Sequence, residues 1–158
     1  MSPMHPKKTI HIKLSQRHRL RVINTAADAT EQFSIDRHIM TVIANDFVPV
    51  VPYNTTVLTL GNGQRTDIIV TAIYSSASTF WMRSNITCST SLNPNTLAVV
   101  MYDKASAGGV PTSTPQSYTA GCANDPLAST VPVYPIDPGT PAITNTINTT
   151  VGQNATGN

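Results

Sequence analysis

Short β-prone runs, punctuated by turn residues, recur along the first two thirds of this chain and exclude most folds. Residues 9–14 read TIHIKL, 18–23 HRLRVI, 31–36 EQFSID and 39–44 IMTVIA. Residues 57–60 (VLTL), 67–72 (DIIVTA), 79–83 (TFWMR) and 96–102 (TLAVVMY) continue the series. A half-buried strand needs only a few residues with alternate side chains inward, whereas a helix needs an apolar period of 3.6 held over three turns. No window here holds that period. Strands at this spacing, with Gly, Asn and Pro between them, specify an all-β antiparallel sandwich or barrel. Alternation within the runs predicts a core of Leu20, Val22, Phe33, Ile35, Val42, Leu58, Ile69, Trp81 and Val99.

The chain is 40% apolar, enough for one modest core, but only 11% charged, well under the usual quarter. Ser, Thr, Asn and Pro fill the gap. That balance suits a secreted β-protein and argues against disorder driven by net charge. Lys7, Lys8, Lys13, Arg17, Arg19 and Arg21 are six of the ten basic residues. The three arginines alternate with His18, Leu20 and Val22, which makes them the outward face of one strand. With a formal charge of only +2 and no docking motif, a nucleic-acid partner is not indicated. No apolar run approaches the ~20 residues of a membrane helix. The opening MSPMHPKKTIHIKL lacks the apolar stretch of a signal peptide, so the chain is expected to begin inside a longer parent.

The character changes after Asp103. Residues 105–142 are rich in Pro, Gly, Ser and Thr, and are expected to run extended across the surface of the sandwich. The expected organisation is a tail at 1–8, a β-domain at 9–104, this wrapping linker at 105–142, and a β-prone end at 143–158.

Side chains for redox chemistry are sparse. The histidines are His5, His11, His18 and His38, with no two adjacent or one residue apart. A blue copper centre needs two imidazoles and a thiolate. Neither Cys88 nor Cys122 has a histidine neighbour. His38, before a strand, reads as a hydrogen-bonded turn residue. Two Cys in a chain of this composition suggest one disulfide, with two unrelated buried thiols as the alternative. The triplets beginning at Asn54, Asn85, Asn148 and Asn154 are N-glycosylation candidates. Gly61, Gly63 and Arg65 lack the Lys-Ser/Thr ending of a phosphate loop and read as a β-turn. Phe80 and Trp81 are candidates for a sugar-stacking platform, although strand alternation puts at least one in the core.

HRLRVINTA, FSIDRH followed by MTVIAND, VPVVPY and GQRTDIIV stand in an order and spacing that resemble the central plastocyanin-like domain of laccase-like multicopper oxidases of the ascomycete fungal type. The resemblance runs from about Arg17 to the end. Thr66 departs from it, because members often carry an aromatic after Gln-Arg.

The resemblance implies a cupredoxin-like Greek-key fold. It also implies a secreted parent of three such domains that oxidises phenolic donors and reduces oxygen to water with copper held in the outer domains. The middle domain would hold no copper, would scaffold its two flanking cupredoxin domains and would line part of the donor pocket. Alone it would be inactive, and residues 143–158 would begin the next domain. Asp28, after INTAA at a strand end, corresponds to a pocket carboxylate that accepts a hydrogen bond from the phenol; as a bare sequence feature it is equally a solvated loop acid. A Cys88–Cys122 bridge is implied, worth roughly 3–4 kcal/mol for a loop of about 34 residues. The alternative from another class is a non-catalytic β-sandwich binding or interaction module. Such a module would need exposed coplanar aromatics, and aromatics are 6% of the chain.

Overall fold

The computed structural model describes residues 8–74, 78–88, 95–105, 110–117, 121–150 and 152. The expected tail at 1–8 lies outside them except for its last residue. Strands β1 (Thr9–Ile12), β3 (Glu31–Ile35), β6 (Leu58–Leu60), β8 (Thr79–Ile86) and β9 (Asn95–Tyr102) form one sheet in the order β1-β9-β8-β3-β6. Strands β2 (Arg17–Ile23), β4 (Met40–Asn45), β5 (Val48–Thr55) and β7 (Arg65–Thr71) form the other in the order β2-β7-β4-β5. Among the described strands only β1 with β9 is parallel. The chain crosses repeatedly between the sheets, giving a cupredoxin-like Greek-key sandwich. Among the described residues the one helical element is a 3₁₀ turn, Leu127–Ser129.

Alternation places the core. In β7 the inward residues are Thr66, Ile68 and Val70, and in β4 Met40 and Val42, with Ile68, Met40 and Val42 at 0% exposure. From β3, β6 and β8 they meet Phe33, Ile35, Leu58, Leu60 and Phe80. Each such side chain contributes about 1.5–3 kcal/mol through burial. Leu20 and Val22 pack against this cluster but are only half-buried, because β2 lies at a sheet edge.

Three core expectations need correction. Ile69 is only half-buried and faces away from the core, beside Arg19 and Thr41. Adjacent isoleucines cannot share a face, and Ile68 takes the inner one. Trp81 and Val99 are buried, but in a second cluster with Met101 on the outer face of the five-stranded sheet. The cover there includes Ser113, whose Oγ accepts the Trp81 backbone N–H at 3.1 Å.

The sequence reading also missed β5. Its two prolines, Pro49 and Pro52, argue against a central strand, and β5 is in fact an edge strand, where a missing donor costs least. A bulge between Val42 and Ala44 adjusts β4 against both of its neighbours. The two-residue turn from β4 to β5 sets Asp46 and Phe47 at φ +45° and +73°, the geometry of the hairpin turn that matches strand twist. Phe47 is 77% exposed, and the Arg65 guanidinium stacks over it at 4.7 Å.

The described part of 105–142 runs along the sandwich. Val131 C=O accepts the Val51 N–H, and the Val133 N–H donates to Pro49 C=O, so it covers part of the β5 edge. Residues 143–150 are exposed and form no strand, contrary to their β-prone composition. Ile143 and Ile147 are 78% and 82% exposed, so no partner strand buries them here.

Candidate functional site

Two crossovers between the sheets run side by side at one end of the sandwich. Residues 24–30 carry the chain from β2 to β3, and residues 61–64 carry it from β6 to β7. They are neighbours because β2 pairs with β7 in one sheet and β3 with β6 in the other. The Asn24 N–H donates to Gln64 C=O and the Gly63 N–H to Asn24 C=O, both at 3.0 Å. The Gln64 N–H closes the 61–64 turn on Gly61 C=O at 3.1 Å. Gly63 sits at φ +73°, which a type II turn requires at its third position.

Two asparagine side chains fix the loop that holds Asp28. Buried Asn24 donates from Nδ2 to Ala29 C=O at 2.7 Å and to Leu60 C=O at 3.1 Å, while its Oδ1 accepts the Ala26 N–H at 2.9 Å. Asn62 donates from Nδ2 to Ala27 C=O at 2.8 Å, and its Oδ1 accepts the Ala29 N–H at 3.0 Å. The amide of Asn62 thus grips the chain immediately before and immediately after Asp28. The Asp28 side chain is exposed and makes no hydrogen bond among the described residues. Beneath the loop lies a cleft of about 360 Å³ lined by Asn24, Thr25, Ala26, Glu31, Ser84 and others. Glu31 accepts a hydrogen bond from the Ser84 hydroxyl there. Asp28 does not line this cleft.

A second polar cluster is built the opposite way. Asp36, at 0% exposure, takes both nitrogens of the Arg83 fork at 2.7 and 2.8 Å and the Ser113 hydroxyl at 2.7 Å. His38 is 2% exposed, ringed edge-on by Phe80 and Tyr74. Its Nδ1 lies 2.8 Å from Asp36 C=O, which can only accept, so Nδ1 carries the proton and Nε2 accepts from the Tyr102 hydroxyl at 2.9 Å. Burial lowers the His38 pKa below 6.5, against the upward pull of the Asp36 carbonyl and charge. Both ring nitrogens are therefore engaged in structure, as the turn reading of His38 expected.

The remaining candidates are dispersed. Cys88 and Cys122 form a disulfide with Cα atoms 5.3 Å apart, so neither offers a thiolate. His11 is exposed, and His18 Nε2 sits 3.1 Å from the Lys13 backbone nitrogen. His5 lies outside the described residues. Among the described residues no group of three or more His, Cys, Asp or Glu could hold a metal, and this donor set does not fit a copper centre. Asn54 and Asn148 are exposed, Asn85 is 9% exposed and poorly open to a glycan, and Asn154 lies outside the described residues. Phe80 and Trp81 are 3% and 8% exposed, so they form no sugar platform. Arg19 and Arg21 flank Asp67 in surface ion pairs, consistent with a solvated strand face. Among the described residues no helix is long and apolar enough to cross a membrane.

Near the 3₁₀ turn a second cavity of about 340 Å³ is lined in part by Tyr53, Arg65 and Asp125. The Tyr53 hydroxyl and the Thr59 N–H both bond the Asp125 carboxyl, at 2.9 and 3.2 Å. Burial raises the Asp125 pKa against these two bonds. Burial and the Asp125 charge together push Tyr53 up to about 12.

The asparagine latch left only faint signals in the sequence. Asn62 precedes a glycine in GNGQR, and Asn24 ends a strand, but nothing local says that the two turns meet.

The multicopper oxidase family model matches residues 4–105. Laccase-1 of Botryotinia fuckeliana is 42% identical over 140 residues, which are 86% of this chain and 25% of that protein. Laccase-2 of the same organism is 43% identical over 126 residues, 78% of this chain and 21% of that one. The crystal structure of laccase from Botrytis aclada superposes with a TM-score of 0.74 at 35% identity, covering 84% of this chain and 26% of that one. A multicopper oxidase that functions in iron import shares the fold, with a TM-score of 0.61 at 20% identity over 73% of this chain and 22% of that one. The chain thus spans about a quarter of the length of the relatives it matches.

Proposed function

This chain belongs to the multicopper oxidase family, and from that premise we propose that it is the copper-free middle domain of a laccase-like enzyme. In this reading the secreted parent oxidises phenolic donors and reduces oxygen to water. The domain holds the two flanking cupredoxin domains in register and supplies one wall of the donor pocket. The observation that carries the reading is a sandwich of this family with its two cysteines joined to each other and its buried histidine committed at both nitrogens. Oxidising equivalents belong to copper carried elsewhere in the parent.

What this chain contributes to the chemistry is a base. A phenol that loses an electron becomes far more acidic, so a carboxylate beside its hydroxyl assists oxidation by accepting the proton. Asp28 suits that task in this reading: its side chain is exposed and has no competing partner among the described residues, while the backbone on either side of it is held. The parent's donor would present its O–H to an Asp28 oxygen; the proton would pass to the carboxylate and the electron to copper carried elsewhere in the parent, leaving a phenoxyl radical and a protonated carboxyl.

The test is to read the transcript on both sides of this segment, then express the full-length product with copper. Upstream His-x-His pairs, a downstream His-Cys-His, and phenol-dependent oxygen uptake are expected. A full-length product without those ligand motifs would refute the reading and favour a non-catalytic module.

A further inference from the structure

We propose that Asn62 is a positioning residue for the Asp28 carboxylate, which makes the turn at 61–64 a part of the donor site. This rests on the reading of Asp28 as the base that faces the donor. A surface loop ordinarily samples many backbone conformations, and the exposed tip at Ala27 and Asp28, between buried Asn24 and Ala29, would sample them too. Here the Asn62 amide uses its donor on Ala27 C=O and its acceptor on the Ala29 N–H. The peptide groups on the two sides of Asp28 are thereby held by one planar group, at 2.8 and 3.0 Å.

Only a primary amide on a short stem offers a donor and an acceptor side by side in this way. Aspartate in its place would present a second acceptor to Ala27 C=O, and alanine would present nothing. The turn holds Asn62 in place in its own right. Gly63 takes the positive φ, the Gly61 N–H bonds Gln64 Oε1 at 2.6 Å, and the turn backbone pairs with Asn24. Buried Asn24 anchors the far end of the same loop through Ala29 C=O.

Asn62 is itself exposed and contributes no packed surface to the core, so its replacement leaves the sandwich folded. Its bonds act on the direction in which the Asp28 side chain leaves the loop. Small misplacements of a reacting group carry large rate consequences.

The experiment has two arms. In this chain, amide hydrogen exchange at Ala29 should speed up in Asn62→Ala while exchange in β3 and β7 stays as it was. Unchanged exchange at Ala29 would overturn the clamp. In the full-length copper-loaded oxidase, Asn62→Ala should lower kcat/KM for a methoxyphenol about three- to tenfold. It should shift the phenol pH profile in the same sense as Asp28→Asn, and leave ferrocyanide oxidation unchanged. Added to Asp28→Asn, it should cost nothing further, since both changes remove the same function. Additive losses, or equal losses for both donors, would make Asn62 merely structural and refute the proposal. A selective loss in Asp28→Asn with none in Asn62→Ala would refute the positioning role alone. Absence of any selective loss in Asp28→Asn would remove the base assignment and this inference with it.

Discussion

Asp28 and Asp36 are eight positions apart and lie on the two sides of β3, and the structure treats them in opposite ways. Asp36 is fully buried, with its carboxylate bonded twice by the Arg83 guanidinium and once by the Ser113 hydroxyl. Asp28 is exposed with its carboxylate free of partners among the described residues, yet the peptides around it are gripped by Asn62 and Asn24. At Asp36 the side chain does the holding: it fastens residue 113, and so the wrapping segment, to the outer face of a sheet. At Asp28 the backbone is held and the side chain is left available. A buried carboxylate held by a guanidinium and a hydroxyl is out of reach of a donor; an exposed one on a held backbone is within reach. That difference distinguishes a structural acid from a candidate reactive one in the same domain.

The largest expected effect lies at the buried pair. Arg83→Ala strands Asp36 without its counter-charge and should destabilise the chain by about 3–5 kcal/mol. Equilibrium urea unfolding measures this, and a loss under about 1 kcal/mol would mean that the pair contributes little. Next is the disulfide. Replacing Cys88 and Cys122 together by serine should cost about 2–4 kcal/mol and loosen residues 121–122 and 110–117, read as faster proteolysis there. Equal stability of the two forms would show that hydrogen bonds such as those at Ser113 and Gly121 hold the segment without the bridge.

A smaller effect is pH-dependent. The folded pKa of His38 lies below 6.5, so the folded chain binds this proton more weakly than the unfolded chain does. The stability that neutral His38 contributes is complete above 6.5 and is lost as pH falls below that value toward the depressed one. His38→Gln should flatten the fall in unfolding free energy between about pH 7 and about pH 5. If the variant falls as steeply as the parent chain, the acid sensitivity belongs to another group. The smallest effect is at the other pole of the comparison. Asp28→Asn in this chain should change stability by under about 0.5 kcal/mol, and a loss comparable to that of Arg83→Ala would erase the distinction between the two carboxylates.

How far the sequence foretold this follows from the range of each interaction. Strand runs with clean alternation, such as RHRLRVI, predicted their own conformation because the signal is local. VPVVPYNT did not, since its prolines are tolerable only at an edge, and edge position is a property of the whole sheet. Ile68 and Ile69 were exchanged because a two-isoleucine run does not say which one faces inward. Trp81 and Val99 were recognised as buried, but not that they lie on the outer face of the sheet, where Ala105 packs against them and Ser113 bonds the Trp81 backbone. At the candidate site Asp28 was legible only through resemblance. Asn62 was not, because its partners at residues 27 and 29 lie more than thirty positions away and meet it only after two crossovers are built.

The most direct test of the account is the donor selectivity of Asp28→Asn in the full-length copper-loaded oxidase. The amide is nearly isosteric but takes up no proton at ordinary pH. The ratio of kcat/KM for a methoxyphenol to that for ferrocyanide, measured across pH, isolates proton transfer from electron transfer. The account predicts that this ratio falls by about tenfold to a hundredfold, at the low end of general-base effects because water can also accept the proton, with the pH profile for the phenol shifted. An unchanged ratio, whether both donors are lost equally or neither is affected, would contradict it.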